Sequence, residues 1–125
     1  MSQKRCEAPP RVLIARGHSM FPFVIDGSIL FFERPAAVQV GDIVLTEAGG
    51  RWLAHRVVCT GHGTITTWGD FNRQPDPAVA SDRVLGRCVQ VRRKGTDISM
   101  DLPCVRVTGW LLAKALPLLK ALLPP

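Results

Sequence analysis

No stretch of this chain stays apolar for the roughly 18–20 residues that crossing a bilayer takes, so no membrane-spanning segment is expected. Residues 1–10 are polar and broken by proline, without the apolar centre of a secretory leader. The expectation is a cytoplasmic location, with peripheral attachment to a membrane as its variant. The four cysteines, Cys6, Cys59, Cys88 and Cys104, form no CxxC pair and show no metal-ligand cadence. They read as reduced thiols packed as small hydrophobes, and neither a metal nor another cofactor is expected. Basic residues give a net charge of +6 but are scattered along the chain. The densest cluster, Arg92-Arg93-Lys94, comes with no RNA-binding aromatic signature and no zinc-finger spacing. It reads as a solvated face, so nucleic acid is not an expected partner.

What is present is a globular composition, 46% hydrophobic and 21% charged, which argues against disorder over most of the chain. Its 125 residues suit one domain. Short apolar runs at 11–15, 28–33, 42–47, 51–58, 64–68 and 83–93 read as strands. Between them lie Asp26-Gly27, Gly41-Asp42, Gly61-His62-Gly63 and Gly69-Asp70, all suited to turns. Ala48-Gly49-Gly50 has the chemistry of a hairpin loop. The expected fold is mainly β, a small twisted sheet or barrel of six strands. Residues 1–10 form an arm, 11–103 the β domain and 104–125 an apolar, amphipathic helix. Leucine and alanine favour that helix, centred on 110–123, and Pro117 is expected to kink or restart it. Covering the sheet, lying in a membrane surface and docking a partner are its three readings.

Three segments hold chemistry. Arg16-Gly17-His18-Ser19-Met20-Phe21-Pro22 places a serine directly after a strand, between a glycine that permits close approach and a proline that fixes the exit. A serine hydroxyl is a weak nucleophile until a base takes its proton. In Trp52-Leu53-Ala54-His55-Arg56-Val57-Val58, strand alternation puts His55 on one face with Leu53 and Val57. Alone, such a histidine is more often a core residue than a base. Thr67 to Asp76 ends a strand in a loop with two acids, Asp70 and Asp76, and loop aspartates are usually turn formers. His18 neighbours Ser19, but adjacent side chains of an extended segment point apart. His62 reads as a turn residue.

Taken in order, GHSMFP, DGSILFFERPAAVQVGDIVL, AHRVV, TWGDFNRQPD and VLGRCVQV resemble the conserved boxes of type I signal peptidases over residues 12–91. The HRVV box is similar to the archaeal and endoplasmic-reticulum branch, where histidine replaces the bacterial lysine. Independently, no lysine occurs between Lys4 and Lys94. The resemblance implies a signal-peptidase β fold with Ser19 as nucleophile, His55 as general base, Asp76 as the acid supporting it and Asp70 as an auxiliary acid. It implies substrate contacts at Gly17, Met20, Pro22 and Asn72. Gly17 stands where some members carry a serine that helps the oxyanion, so the Ser19 N–H is the expected donor.

The expected function is a serine endopeptidase that cuts a leader or signal-like segment from a peptide or protein precursor. The chain lacks a membrane span and the insertion that builds a second β domain in larger members, so a minimal enzyme is expected. Besides its precursor substrate, it is expected to touch a membrane or partner through residues 110–123. The alternative is a catalytically silent module that binds a peptide or partner on the same fold. A LexA-type self-cleaving repressor fits less well, because it needs a lysine base and an upstream Ala-Gly or Cys-Gly loop.

Overall fold

Apolar side chains that alternate along short segments, broken by glycine turns, pair into one antiparallel sheet. The computed structural model describes residues 9–20, 23–34 and 37–122. Its strands are β1 (Val12–Ile14), β2 (Ile29–Glu33), β3 (Ile43–Ala48), β4 (Arg51–Thr60), β5 (Thr64–Trp68), β6 (Val79–Ala80), β7 (Gly86–Arg93) and β8 (Thr96–Ser99). One helix, α1 (Pro103–Ala121), follows them. The strands run in the order β1-β2-β7-β3-β4-β5-β6, with β8 added to β7. The molecule is mainly β, as its sequence pattern suggests.

Each of the six expected strands forms, and two short ones join them. β6 is only two residues long, in a proline-interrupted segment. β8 (Thr-Asp-Ile-Ser) has no apolar run to mark it; a tight turn through Lys94 (φ 52°) and Gly95 (φ 79°) folds it back onto β7. Positive φ at both central residues matches the twist of flanking strands. The Gly49-Gly50 hairpin uses the same geometry, with φ of 60° and 79° and Ala48 paired to Arg51. The basic cluster is drawn into the β7–β8 ladder, where Arg92 pairs with Asp97.

β3 is buried on both faces because it lies mid-sheet. Ile43 and Leu45 join the larger core with Met20, Leu30, Phe32, Cys88 and Val91. Val44 joins a second core with Val57, Ile65 and Val84. Burial pushes the Cys88 thiol up to about 12, far above its ordinary value. Thiolate is the reactive species, so native alkylation followed by peptide mapping should modify exposed Cys59 and Cys104 and leave Cys88 intact. Cys6 lies outside the described residues.

α1 begins earlier than the leucine-rich stretch suggests, with Pro103 in its first turn, where no backbone donor is needed. The helix is continuous through Pro117, so it does not restart there. A proline this near the C-terminal end removes a single ladder bond, and inward contacts at Ala113 and Lys120 hold the segments on either side. The helix meets the sheet where two glycines touch. A Cβ on Gly109 would lie 2.9 Å from the Gly41 oxygen and 3.0 Å from an Arg56 guanidinium nitrogen. Gly109→Ala should therefore cost about 1–3 kcal/mol of stability, read from denaturant midpoints.

Candidate active site

The Ser19 turn leaves β1 and is strapped at its base. The Gly27 N–H bonds the Ala15 carbonyl, the Gly17 N–H bonds Asp26 Oδ1 at 2.7 Å, and the Val24 N–H bonds the Met20 carbonyl. Met20 anchors the turn in the core. His55 comes from β4, opposite Val44 of β3. Strand alternation therefore puts it on the side of the smaller core, with only 4% of its surface exposed. Asp76 arrives from the loop after β5, which its own N–H closes onto the Thr67 carbonyl at 2.9 Å.

These three remote segments converge. His55 Nε2 lies 3.1 Å from Ser19 Oγ, and His55 Nδ1 lies 2.6 Å from Asp76 Oδ2. The Thr67 hydroxyl donates to the same carboxylate oxygen at 2.6 Å. Thr67 is paired with Val57 across β4 and β5, so it faces the same way as His55. With the carboxylate on Nδ1–H, the imidazole presents Nε2 as an acceptor to the serine.

Burial alone would raise the Asp76 carboxyl, but hydrogen bonds from His55 and Thr67 and the charge of His55 outweigh it and hold the group below its ordinary 3.8. A depressed carboxyl stabilises the fold fully above its unfolded value, and that contribution is lost as pH falls through the folded value. Asp76→Asn should therefore narrow the difference in unfolding midpoint between neutral pH and pH below about 3.8. Thr67→Val should narrow it partly.

Comparison with protein-family models and with characterised proteins finds no match to this chain.

Asp70 takes the arginine next to His55 as its partner. Its oxygens receive Arg56 Nε at 2.8 Å and a terminal guanidinium nitrogen at 2.7 Å. Arg56 is fully buried, also donates to the Gly41 carbonyl at 2.9 Å, and lies over the Phe23 ring. Asp70 thereby neutralises the arginine beside His55. The Asp70 N–H bonds Met20 Sδ, and the next N–H, of Phe71, bonds the Ser19 carbonyl at 2.7 Å. This one loop therefore ties the Ser19 turn to the strand that carries His55.

Asn72 serves that loop and does not line the groove beside Ser19: its carbonyl accepts the Trp68 indole N–H, and its amide fills the space beside Gly69. Gly17 and Met20 do line the groove. Pro22 lies outside the described residues. The sequence reading missed Arg56, Thr67 and Lys120. A charged residue one position from His55, in a largely apolar stretch, was the available signal for the first. Lys120 of α1 donates to the Gly69 carbonyl at 3.0 Å and lies over the Trp68 ring. Burial lowers its ammonium from the ordinary value, offset in part by Asp70. Being bonded to a carbonyl, it does not occupy the base position.

A groove of about 460 Å³ opens beside Ser19 and His55. Leu13, Ile14 and Ala15 form one wall, and Ala48 with Trp52, Leu53 and Ala54 forms the other. Among the described residues, β1 pairs only with β2, and residues 51–55 of β4 pair only with β3. The groove is thus bordered by two strand segments with an unpaired edge each.

Proposed function

We propose that this protein is a serine endopeptidase of the signal-peptidase type, acting on a peptide or protein precursor. The observation that carries the reading is the Ser19–His55–Asp76 chain of hydrogen bonds at the mouth of a largely apolar groove. An extended substrate adds its backbone to an unpaired strand edge. The scissile carbonyl is then presented to Ser19 Oγ.

His55 Nε2 takes the hydroxyl proton as Oγ forms its bond to the carbonyl carbon, and Asp76 stabilises the imidazolium. The Ser19 N–H is the candidate donor to the resulting oxyanion; the Gly17 N–H is already committed to Asp26. The C–N bond breaks as His55 returns the proton to the amine, leaving an acyl-serine. Water, deprotonated by the same histidine, releases the acid and restores Ser19.

The walls are mainly apolar and the charged residues lining the groove, Arg16 and Arg51, are cationic, which favours small uncharged side chains over Lys before the cut. Peptides carrying Ala, Phe or Lys before the scissile bond, followed by mass spectrometry, test this. Cleavage is expected after Ala above the other two. A preference for Lys would contradict the groove assignment.

A further inference from the structure

A helix packed on a sheet normally turns a polar face to water. α1 does not. Gly109 and Ala113 face the sheet, where Ala113 is buried, while Val107, Leu111, Leu118 and Leu122 are 57%, 53%, 71% and 83% exposed. Successive helical residues advance about 100°, so these four fall within roughly 60° of one another and form one stripe. Trp110, about half exposed, flanks it. No helix among the described residues is long and apolar enough to cross a membrane.

Charge identifies what covers the stripe. Residues 103–121 contain Arg106, Lys114 and Lys120 and no acid. Arg106 is bonded to Gln39, Asp42 and Asp101, and Lys120 to the Gly69 carbonyl. Lys114 instead lies over the Trp110 ring, midway along the stripe. A second copy docked through the same face by two-fold symmetry would set Lys114 against Lys114, two like charges at the centre of an apolar contact. An anionic lipid surface gives the same ammonium a phosphate, to which a lysine stem can reach while its methylenes stay in the apolar layer. Tryptophan suits that boundary as well.

We infer that α1 is an in-plane membrane-binding helix, its Val107–Leu111–Leu118–Leu122 stripe set into an anionic bilayer surface. The inference goes beyond the peptidase reading and does not depend on it. Phe71, 61% exposed, lies two residues beyond the Gly69 carbonyl that Lys120 holds, and its N–H bonds Ser19. Apolar surface thus extends from the helix end to the loop that braces the nucleophile.

The test is sedimentation of the full chain with vesicles of phosphatidylcholine alone or with about 30% phosphatidylglycerol. The chain should pellet with the anionic vesicles, less so as salt is raised. Leu111→Ser with Leu118→Ser should lower the partition coefficient at least about tenfold while the thermal midpoint holds. Recovery in the supernatant with both vesicles, or equal binding to both, would overturn the assignment. So would a lipid-free dimer dispersed by the same double substitution, which would give the stripe to a second copy. No arm reads peptidase activity, so failure here leaves the proposed reaction standing.

Discussion

Ser19→Ala should reduce precursor cleavage by about a thousandfold or more with no loss of fold, because removing one member of a coupled nucleophile–base pair disables the whole pair. Ser19 Oγ contributes one 3.1 Å bond to His55 and no core packing. Matched unfolding midpoints for the variant and parent would assign the loss to chemistry. His55→Gln should abolish cleavage to a similar degree, but for two reasons. Glutamine supplies no base, and it leaves Asp76 without its charge-bearing partner. Adding the two substitutions together should cost little more than either alone, the signature of residues that act as a unit. Independent, multiplying losses would show that His55 does not act on Ser19.

Breaking the Arg56–Asp70 pair should have the largest effect on stability. Arg56 is 0% exposed and Asp70 is 7% exposed, and the contact is bidentate. Removing one partner strands the other charge in the core, at about 3–5 kcal/mol. A domain of this size has only about 5–15 kcal/mol in total, so Arg56→Met should approach the limit of a stably folded chain. Asp70→Asn should fall in the same range. Replacing both with apolar residues, Arg56→Met with Asp70→Leu, should recover much of the loss, because no charge is left unpaired. If Asp70 instead served as an auxiliary acid, Asp70→Asn would cut the rate at unchanged stability. Denaturant melts beside cleavage rates on the same samples separate the two outcomes.

Much of the fold was legible because its strands carry their own punctuation. Gly49-Gly50 specifies a two-residue hairpin, and the apolar runs of β2 to β5 are each bounded by turn residues. β6 and β8 were not legible, since they are held by pairing to neighbours and not by apolar content. The helix start was legible to within one residue, since Pro103 marks the change of composition and is tolerated in a first turn. Within the site, Ser19, His55 and Asp76, which only the resemblance had grouped, lie within hydrogen-bond reach of one another. The pairing of Asp70 with Arg56 could not be read from the chain, because an acid in a loop gives no sign of an arginine fourteen residues earlier. Thr67 and Lys120 were hidden for the same reason: register places one, and helix docking the other.

The central claim, that Ser19 is a nucleophile activated by His55, is tested most directly by a fluorophosphonate that forms a stable bond with an activated serine. Intact mass and peptide mapping should find one adduct on Ser19 in the parent chain, and none in Ser19→Ala or His55→Gln. A folded parent chain that takes no adduct, or one that carries it on another residue, would contradict the account.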